Sequence, residues 1–97
     1  MLSSTAEIKR LLKANQFYKM QAANGLGGDL REKLDFLEKA ISALNAEDLK
    51  LIRGVYIEKI PVARIAKSLF LHRASVYRRA DMIIEKLAEV YDLQFGA

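Results

Sequence analysis

The side chains with the clearest chemistry in this 97-residue sequence are cations gathered in one short stretch. Residues 59–79 contain no Asp or Glu and hold six basic side chains: Lys59, Arg64, Lys67, Arg73, Arg78 and Arg79. Residues 1–58 are nearly balanced, with nine basic and eight acidic side chains, and residues 80–97 hold one basic and four acidic ones. A local positive field of this kind suits a polyanion, most often a nucleic acid. A solvated basic face without a partner is the alternative.

The residue types in this stretch suit two kinds of DNA contact. Arginine can donate two hydrogen bonds to guanine, alanine can touch a thymine methyl group, and tyrosine can meet a phosphate or a base. The side chains expected to project toward bases are Arg73, Ala74, Tyr77 and Arg78. Phosphate contacts position a protein without specifying a sequence, and those expected here come from Ser75, Arg79, Lys67 and Lys59. Arg64 adds positive charge to the same surface.

The composition excludes several other kinds of site. The chain has no cysteine, which excludes disulfides, thiol nucleophiles and cysteine-ligated metals. Its single histidine, His72, excludes a site built from several histidines. The acidic pair Glu47-Asp48 lies at a predicted helix start, where capping explains it. Since no nucleophile–base arrangement is available, we expect no enzymatic activity and no cofactor.

The sequence also bears on the compartment. No apolar run approaches the roughly 20 residues that a membrane span needs. Residues 1–5 lack the charged start and apolar core of a signal peptide. Together with the absence of cysteine, these features predict a cytoplasmic protein without a membrane partner.

Apolar residues recur at helical spacing along the chain and predict one all-α domain of about five helices over residues 1–97. A first helix over residues 4–23 starts at the capping box Ser4–Glu7. The side chains expected on its inner face are Ile8, Leu11, Leu12, Tyr18 and Ala22. The glycine-containing residues 24–28 end this helix. We dismiss a phosphate cradle at residues 25–28, because no Lys-Ser/Thr follows and no strand precedes them. Phe17 and Tyr18 are interpreted as helix packing, with ligand stacking as the alternative.

Two bracing helices are predicted within residues 29–58. The first carries a seam at steps of four and three: Leu30, Leu34, Leu37, Ile41 and Leu44. Such a seam favours an intramolecular core, with a dimer seam as the alternative. Asn45 is the expected N-cap of the second helix. The buried side of that helix is predicted to hold Leu49, Ile52, Val55 and Tyr56.

Residues 59–91 predict two helices joined by a tight turn at residues 70–72, which is a helix-turn-helix. Pro61 suits the first turn of the short helix, whose inner side chains are Val62, Ile65, Ala66 and Leu69. The last helix runs from about Arg73 to about Tyr91, with Val76, Ala80, Ile83, Leu87 and Val90 directed inward. In such a unit the first helix braces the second, whose N-terminal residues reach base edges in the major groove.

Residues 34–87 resemble region four of the bacterial primary sigma factor family. The resemblance rests on Ile60–Leu69, on Ser75–Arg79 and, for the preceding helix junction, on Ala43–Ile52. With its extra N-terminal helix, the whole chain looks more like small phage-encoded transcriptional activators of the RinA/ArpU type. This resemblance implies a sequence-specific regulator that binds double-stranded promoter DNA and activates phage late genes. It also leaves contact with RNA polymerase open.

The sequence departs from the family pattern at four positions. Phe70 stands where glycine usually closes the first helix, and a left-handed backbone there would cost about 1–2 kcal/mol. His72 replaces the usual Ser/Thr cap and is interpreted as a turn residue or an improvised N-cap, with a pH switch or a base contact as alternatives. Pro61 takes another Ser/Thr cap position, and Arg64 replaces a common acidic residue.

Two further interpretations stay open at the level of sequence. The chain could be a protein-interaction module that binds RNA polymerase or another regulator without touching DNA, through the acidic residues Glu85, Glu89 and Asp92. It could also act as a homodimer, because many helix-turn-helix proteins bind palindromic sites as symmetric dimers.

Overall fold

The computed structural model describes residues 4–25 and 28–96, apart from the side chain of Ala22. These residues form α1 (Ser4–Lys13), α2 (Asn15–Ala23), α3 (Gly28–Ser42), α4 (Ala46–Ile52), α5 (Val62–Leu69) and α6 (Arg73–Phe95), with a π-helical turn (Arg53–Ile57) directly after α4. The all-α fold class is confirmed, since the described ranges contain no strand. No helix within them is both long and apolar enough to cross a membrane.

The prediction of a single helix over residues 4–23 is wrong in one respect. The chain bends at Ala14, so that this segment forms two helices, α1 and α2. The described residues therefore hold six α-helices rather than five. The N–H group of Ala14 still donates to the Arg10 carbonyl at 3.1 Å, and that of Tyr18 to the Ala14 carbonyl at 3.0 Å, so the chain bends without forming a loop. Asn15, a poor helix former, starts α2 at the bend and is buried.

The predicted capping box at the start of α1 is also corrected. Ser4 is already helical, and its hydroxyl donates to the Asp92 carboxylate near the end of α6. The Glu7 carboxylate accepts from Lys33 Nζ on α3 at 3.0 Å. Both side chains of the predicted box thus bond across the fold and fasten α1 to its neighbours.

The glycine-containing segment separates α2 from α3 as predicted. Gly25 has φ 77°, a left-handed backbone that glycine adopts without steric strain. The α3 helix begins at Gly28, one residue before the predicted start. Leu26 and Gly27 of this segment lie outside the described residues, as do residues 1–3 and 97.

One hydrophobic core connects the helices. Its largest fully buried side chains are Ile8, Leu11, Leu12, Leu37, Leu51, Ile52, Val76 and Ile84. The seam on α3 contributes to this core, because Leu34, Leu37 and Ile41 are buried while Leu30 and Leu44 pack partly against it. The seam is therefore occupied within one copy of the chain, as the intramolecular interpretation expects.

The α6 helix is buried along a slightly different stripe from the one predicted. Val76, Ala80, Ile83 and Leu87 are buried as expected, but Val90 is 51% exposed and Tyr91 takes the inward position. The Tyr91 ring lies 5.8 Å from the Phe36 ring and 5.0 Å from the Phe95 ring, between centroids. This aromatic cluster extends α6 to Phe95, four residues beyond the predicted end.

The π-helical turn sets the position of α5. The N–H group of Glu58 donates to the Arg53 carbonyl at 2.7 Å, five residues back, and Lys59 then adopts a left-handed backbone with φ 56°. A Cβ atom at Gly54 would lie 2.9 Å from Ile65 Cδ1. The absence of a side chain at Gly54 therefore lets α5 pack closely against this turn.

Candidate nucleic-acid interface

The connection between α5 and α6 consists of three residues, Phe70 to His72. The Leu71 N–H group donates to the Ala66 carbonyl at 2.8 Å, and the Phe70 N–H group donates to the Lys67 carbonyl at 3.3 Å. This pair of hydrogen bonds is a Schellman motif, which requires a left-handed residue directly after the helix. Phe70 supplies that conformation with φ 58° and ψ 41°, although its side chain is 95% exposed. The backbone thus makes a tight turn at the residue where the sequence departs from glycine.

The α6 helix starts without a side-chain cap. His72 has the extended backbone of an N-cap residue, and its carbonyl accepts from the Val76 N–H group at 3.1 Å, but its imidazole makes no capping hydrogen bond. Within the described residues, no side chain accepts from the N–H groups of the first turn. These groups lie at the positive end of the helix dipole, which favours an anion at this point.

The first two turns of α6 present the residues expected to face bases. Arg73, Ala74, Tyr77 and Arg78 are all exposed. Arg73 lies four residues before Tyr77, and Ala74 lies four before Arg78, so the two pairs form adjacent rows on the helix surface. Neither arginine has an ion-pair partner within the described part of the chain. Their guanidinium groups are therefore available to a ligand.

The next turn of α6 carries an acidic side chain instead of basic ones. Asp81 is exposed and its carboxylate lies 3.6 Å from Lys9 Nζ on α1. The described residues after it on α6 include one cation, Lys86, and three acids, Glu85, Glu89 and Asp92. The N-terminal end of α6 therefore carries a net positive charge, and the rest of the helix carries a net negative one.

The residues expected at phosphates are less uniform. Lys59, Arg64 and Lys67 are exposed, and in the ranges described above none of them forms an ion pair. Ser75 is half-buried. Because α5 packs on α6, Arg64 and Lys67 belong to the same unit as the exposed arginines of α6. We call this set Arg64, Lys67, Arg73, Ala74, Tyr77 and Arg78 the basic surface.

Arg79 is engaged differently from the phosphate contact expected of it. Its guanidinium donates to the carboxylates of Glu47 and Asp48, the latter at 2.8 Å, in the first turn of α4. The hydrogen bond to Glu47 raises the pKa of Arg79 above its usual value. Asn45 caps the same turn by accepting from the Asp48 N–H group at 2.8 Å, as predicted. Arg79 therefore joins α6 to α4.

Two cations beside this unit were missed by the sequence reasoning. Lys50 Nζ donates to Ser68 Oγ at 2.6 Å and connects α4 to α5. Lys50, Arg53 and Arg64 also line a cavity of about 380 Å³ between α4, the π-helical turn and α5. In the sequence, only the positive charge of Lys50 and Arg53 could have pointed to them, because their position beside Arg64 depends on how α4 and α5 pack.

Comparison of the chain with known proteins found no matching family model, curated protein or solved structure.

Proposed function

We propose that this chain is a sequence-specific regulator of transcription that binds double-stranded DNA through a helix-turn-helix formed by α5 and α6. The observation that carries the proposal is the group Arg73, Ala74, Tyr77 and Arg78, which is exposed on the first two turns of α6. Arginine and alanine side chains in this place can read base edges in the major groove. A regulator of this class uses α5 to brace α6 against the DNA.

The surroundings of these residues suit the sugar-phosphate backbone. Lys59, Arg64 and Lys67 are exposed cations that can bind phosphates and fix the register of the protein on the duplex. The uncapped N–H groups at the start of α6 can donate to a phosphate oxygen. Arg79 supports the interface indirectly, because its bonds to α4 hold the orientation of α6.

The biological role that we propose is activation of phage or prophage late genes in the cytoplasm. It is supported by the resemblance of residues 34–87 to region four of sigma factors and of the whole chain to small phage activators. In this role the basic surface would bind promoter DNA.

The proposal is tested by selecting binding sites from a random DNA pool and then measuring variants on the selected site. We expect Arg73→Ala and Arg78→Ala each to weaken binding by about 1–3 kcal/mol and to relax sequence preference. Arg31→Ala is the matched control, since Arg31 is exposed on α3 and belongs to no ion pair of the described residues. Unchanged affinity and specificity in both α6 variants would overturn the proposal.

The alternative, a module that binds RNA polymerase without touching DNA, is favoured by one observation. Glu85 and Glu89 are exposed carboxylates on the outer side of α6 and could meet a basic surface of a partner protein. Immobilised protein that retains purified polymerase but no selected DNA would support this alternative. An activator that does both would retain both.

A further inference from the structure

The outer side of the C-terminal half of α6 carries an exposed stripe that the basic surface does not include. The stripe consists of Met82, Lys86, Glu89 and Leu93, at steps of four, three and four residues. Met82 is 50% exposed and Leu93 is 87% exposed. Steps of three and four residues place side chains along one line of a helix. Two helices pack together along such a line.

We propose that this stripe pairs with the same stripe of a second copy of the chain, with the two α6 helices antiparallel. When the midpoint of the two paired helices lies between Leu87 and Ala88, Met82 is opposite Leu93 of the other copy. Lys86 is then opposite Glu89 of the other copy. The stripe is then complementary to itself in both apolar contact and charge, as a twofold interface requires. Each pair of copies contains two Lys86–Glu89 contacts.

The charges on isolated α6 support this partner. Glu85 and Glu89 lie four residues apart on the helix, where like charges repel each other. Within the described ranges neither forms an ion pair, and Lys86 forms none either. The antiparallel arrangement brings the cation of each copy to the acidic side of the other. Because the contact spans only about three helical turns, we expect a weak dimer with a micromolar dissociation constant.

This arrangement has a geometric consequence that rests on the proposed function. The midpoint of Arg73–Arg78 lies 12 residues before the centre of the pair, so the two base-facing groups are 24 residues apart along the helix direction. At 1.5 Å per residue this separation is about 36 Å. One turn of DNA is about 34–36 Å, the usual spacing between the half-sites of a symmetric operator.

The directions of the two surfaces are also compatible. At 100° per residue, the base-facing group lies about 120° around α6 from the pairing stripe. The twofold axis of an antiparallel pair is perpendicular to the plane that contains both helices. Side chains that point out of this plane therefore point to the same side in both copies, and one duplex can meet both basic surfaces.

The pairing is tested without DNA, by sedimentation equilibrium of the full chain and of charge-reversed variants. We expect Lys86→Glu and Glu89→Lys each to weaken dimerisation by about tenfold, because each places like charges opposite one another. The double variant Lys86→Glu/Glu89→Lys restores opposite charges and should recover the dimer to within about threefold. Lys13→Glu is the matched control on exposed α1 surface, and circular dichroism checks the fold of every variant.

A wild-type chain that stays monomeric up to about 1 mM would overturn the pairing, and so would a double variant no better than the single ones. Stripe variants that lose RNA polymerase instead of the second copy would assign the stripe to that partner and also overturn it. The second readout is the selected DNA site, which should contain two half-sites about 10 base pairs apart. A dimer that binds no DNA would contradict the proposed function and leave the pairing standing.

Discussion

Phe70 has a strained backbone and a side chain that makes few packing contacts. The turn requires its left-handed conformation, yet the ring is 95% exposed. Relief of about 1–2 kcal/mol of strain exceeds the flexibility that glycine adds to the unfolded chain, about 0.5–1 kcal/mol. We therefore expect Phe70→Gly to raise the free energy of unfolding by about 1 kcal/mol in urea denaturation. Phe70→Ala keeps the Cβ atom and the strain, so it serves as the control and should bring no such gain.

His72 offers a second test at the start of α6, where its side chain makes no capping bond. Asp and Asn both cap helices well, so His72→Asp and His72→Asn should each add about 0.5–2 kcal/mol of stability. Only His72→Asp places a negative charge beside the expected phosphate, and it alone should weaken DNA binding, by about tenfold or less. Thermal denaturation and DNA titration measure the two effects. Equal DNA affinity of the two variants would mean that no phosphate lies at this helix end.

At the scale of elements, the contact between α6 and α4 decides whether Arg79 is structural or DNA-binding. Because Arg79 donates to two carboxylates, a double-mutant cycle of Arg79→Met with Asp48→Asn should give a coupling energy of about 0.5–1 kcal/mol. Met preserves most of the apolar stem, so the cycle isolates the charged contact.

The same variant gives a DNA readout. Arg79→Met should leave the salt dependence of DNA binding unchanged, because its guanidinium is bonded to α4 rather than to a phosphate. Lys67→Met, on the exposed side of α5, should lower the slope of log affinity against log salt by about one. A lowered slope for Arg79→Met would return Arg79 to the set of phosphate contacts.

The helices also show how much of the fold can be predicted from helical periodicity in the sequence. It predicts α3, α5 and most of α6 correctly, because the spacing of apolar residues that marks a helix is visible within a few neighbouring residues. It does not decide between Val90 and Tyr91, which lie three and four residues after Leu87 and fit the stripe equally well. Tyr91 takes the inward place because Phe36 and Phe95 pack around its ring, and Phe36 lies on another helix.

The candidate site also has a part that the sequence predicts and a part that it does not. The exposure of Arg73, Tyr77 and Arg78 follows from the apolar stripe of their own helix and was predicted. The engagement of Arg79 with α4 was not, because its partner Asp48 is 31 residues away and local spacing carries no information about that distance. The bend at Ala14 was missed for a similar reason, since the residues around it keep a helical pattern in sequence.

On the scale of the whole molecule, α1 is part of the body that carries the basic surface. Its buried side chains Ile8, Leu11 and Leu12 belong to the common core. Its polar side contacts α6 at two points, through Ser4 to Asp92 and through Lys9 to Asp81. The N-terminal helix therefore braces α6 from behind, and its loss would remove support from the helix that we expect to read DNA.

The pair Glu7–Lys33, between α1 and α3 beside the buried ring of Tyr91, gives the molecule a pH-dependent part of its stability. Burial acts to raise the pKa of Glu7, but the hydrogen bond from Lys33 and the nearby positive charges outweigh it, so this pKa lies below its ordinary value of 4.5. A carboxyl group with a lowered pKa contributes stability that is complete above its ordinary pKa and is lost as the pH falls through the lower, folded value. The hydrogen bond to Glu7 correspondingly raises the pKa of Lys33 above 10.5.

We therefore expect Glu7→Gln to lower the free energy of unfolding by about 0.5–1.5 kcal/mol at pH 7. The difference from wild type should persist down to about pH 4.5 and shrink below it, because protonated Glu7 no longer differs in charge from glutamine. Urea denaturation between pH 2.5 and pH 7 measures this profile, because linear extrapolation gives each free energy of unfolding to within about 10–15%. Glu32→Gln, on the exposed surface of α3, is the control and should show little dependence. A difference for Glu7→Gln that stays constant across this range would show that the pair contributes through packing and not through charge.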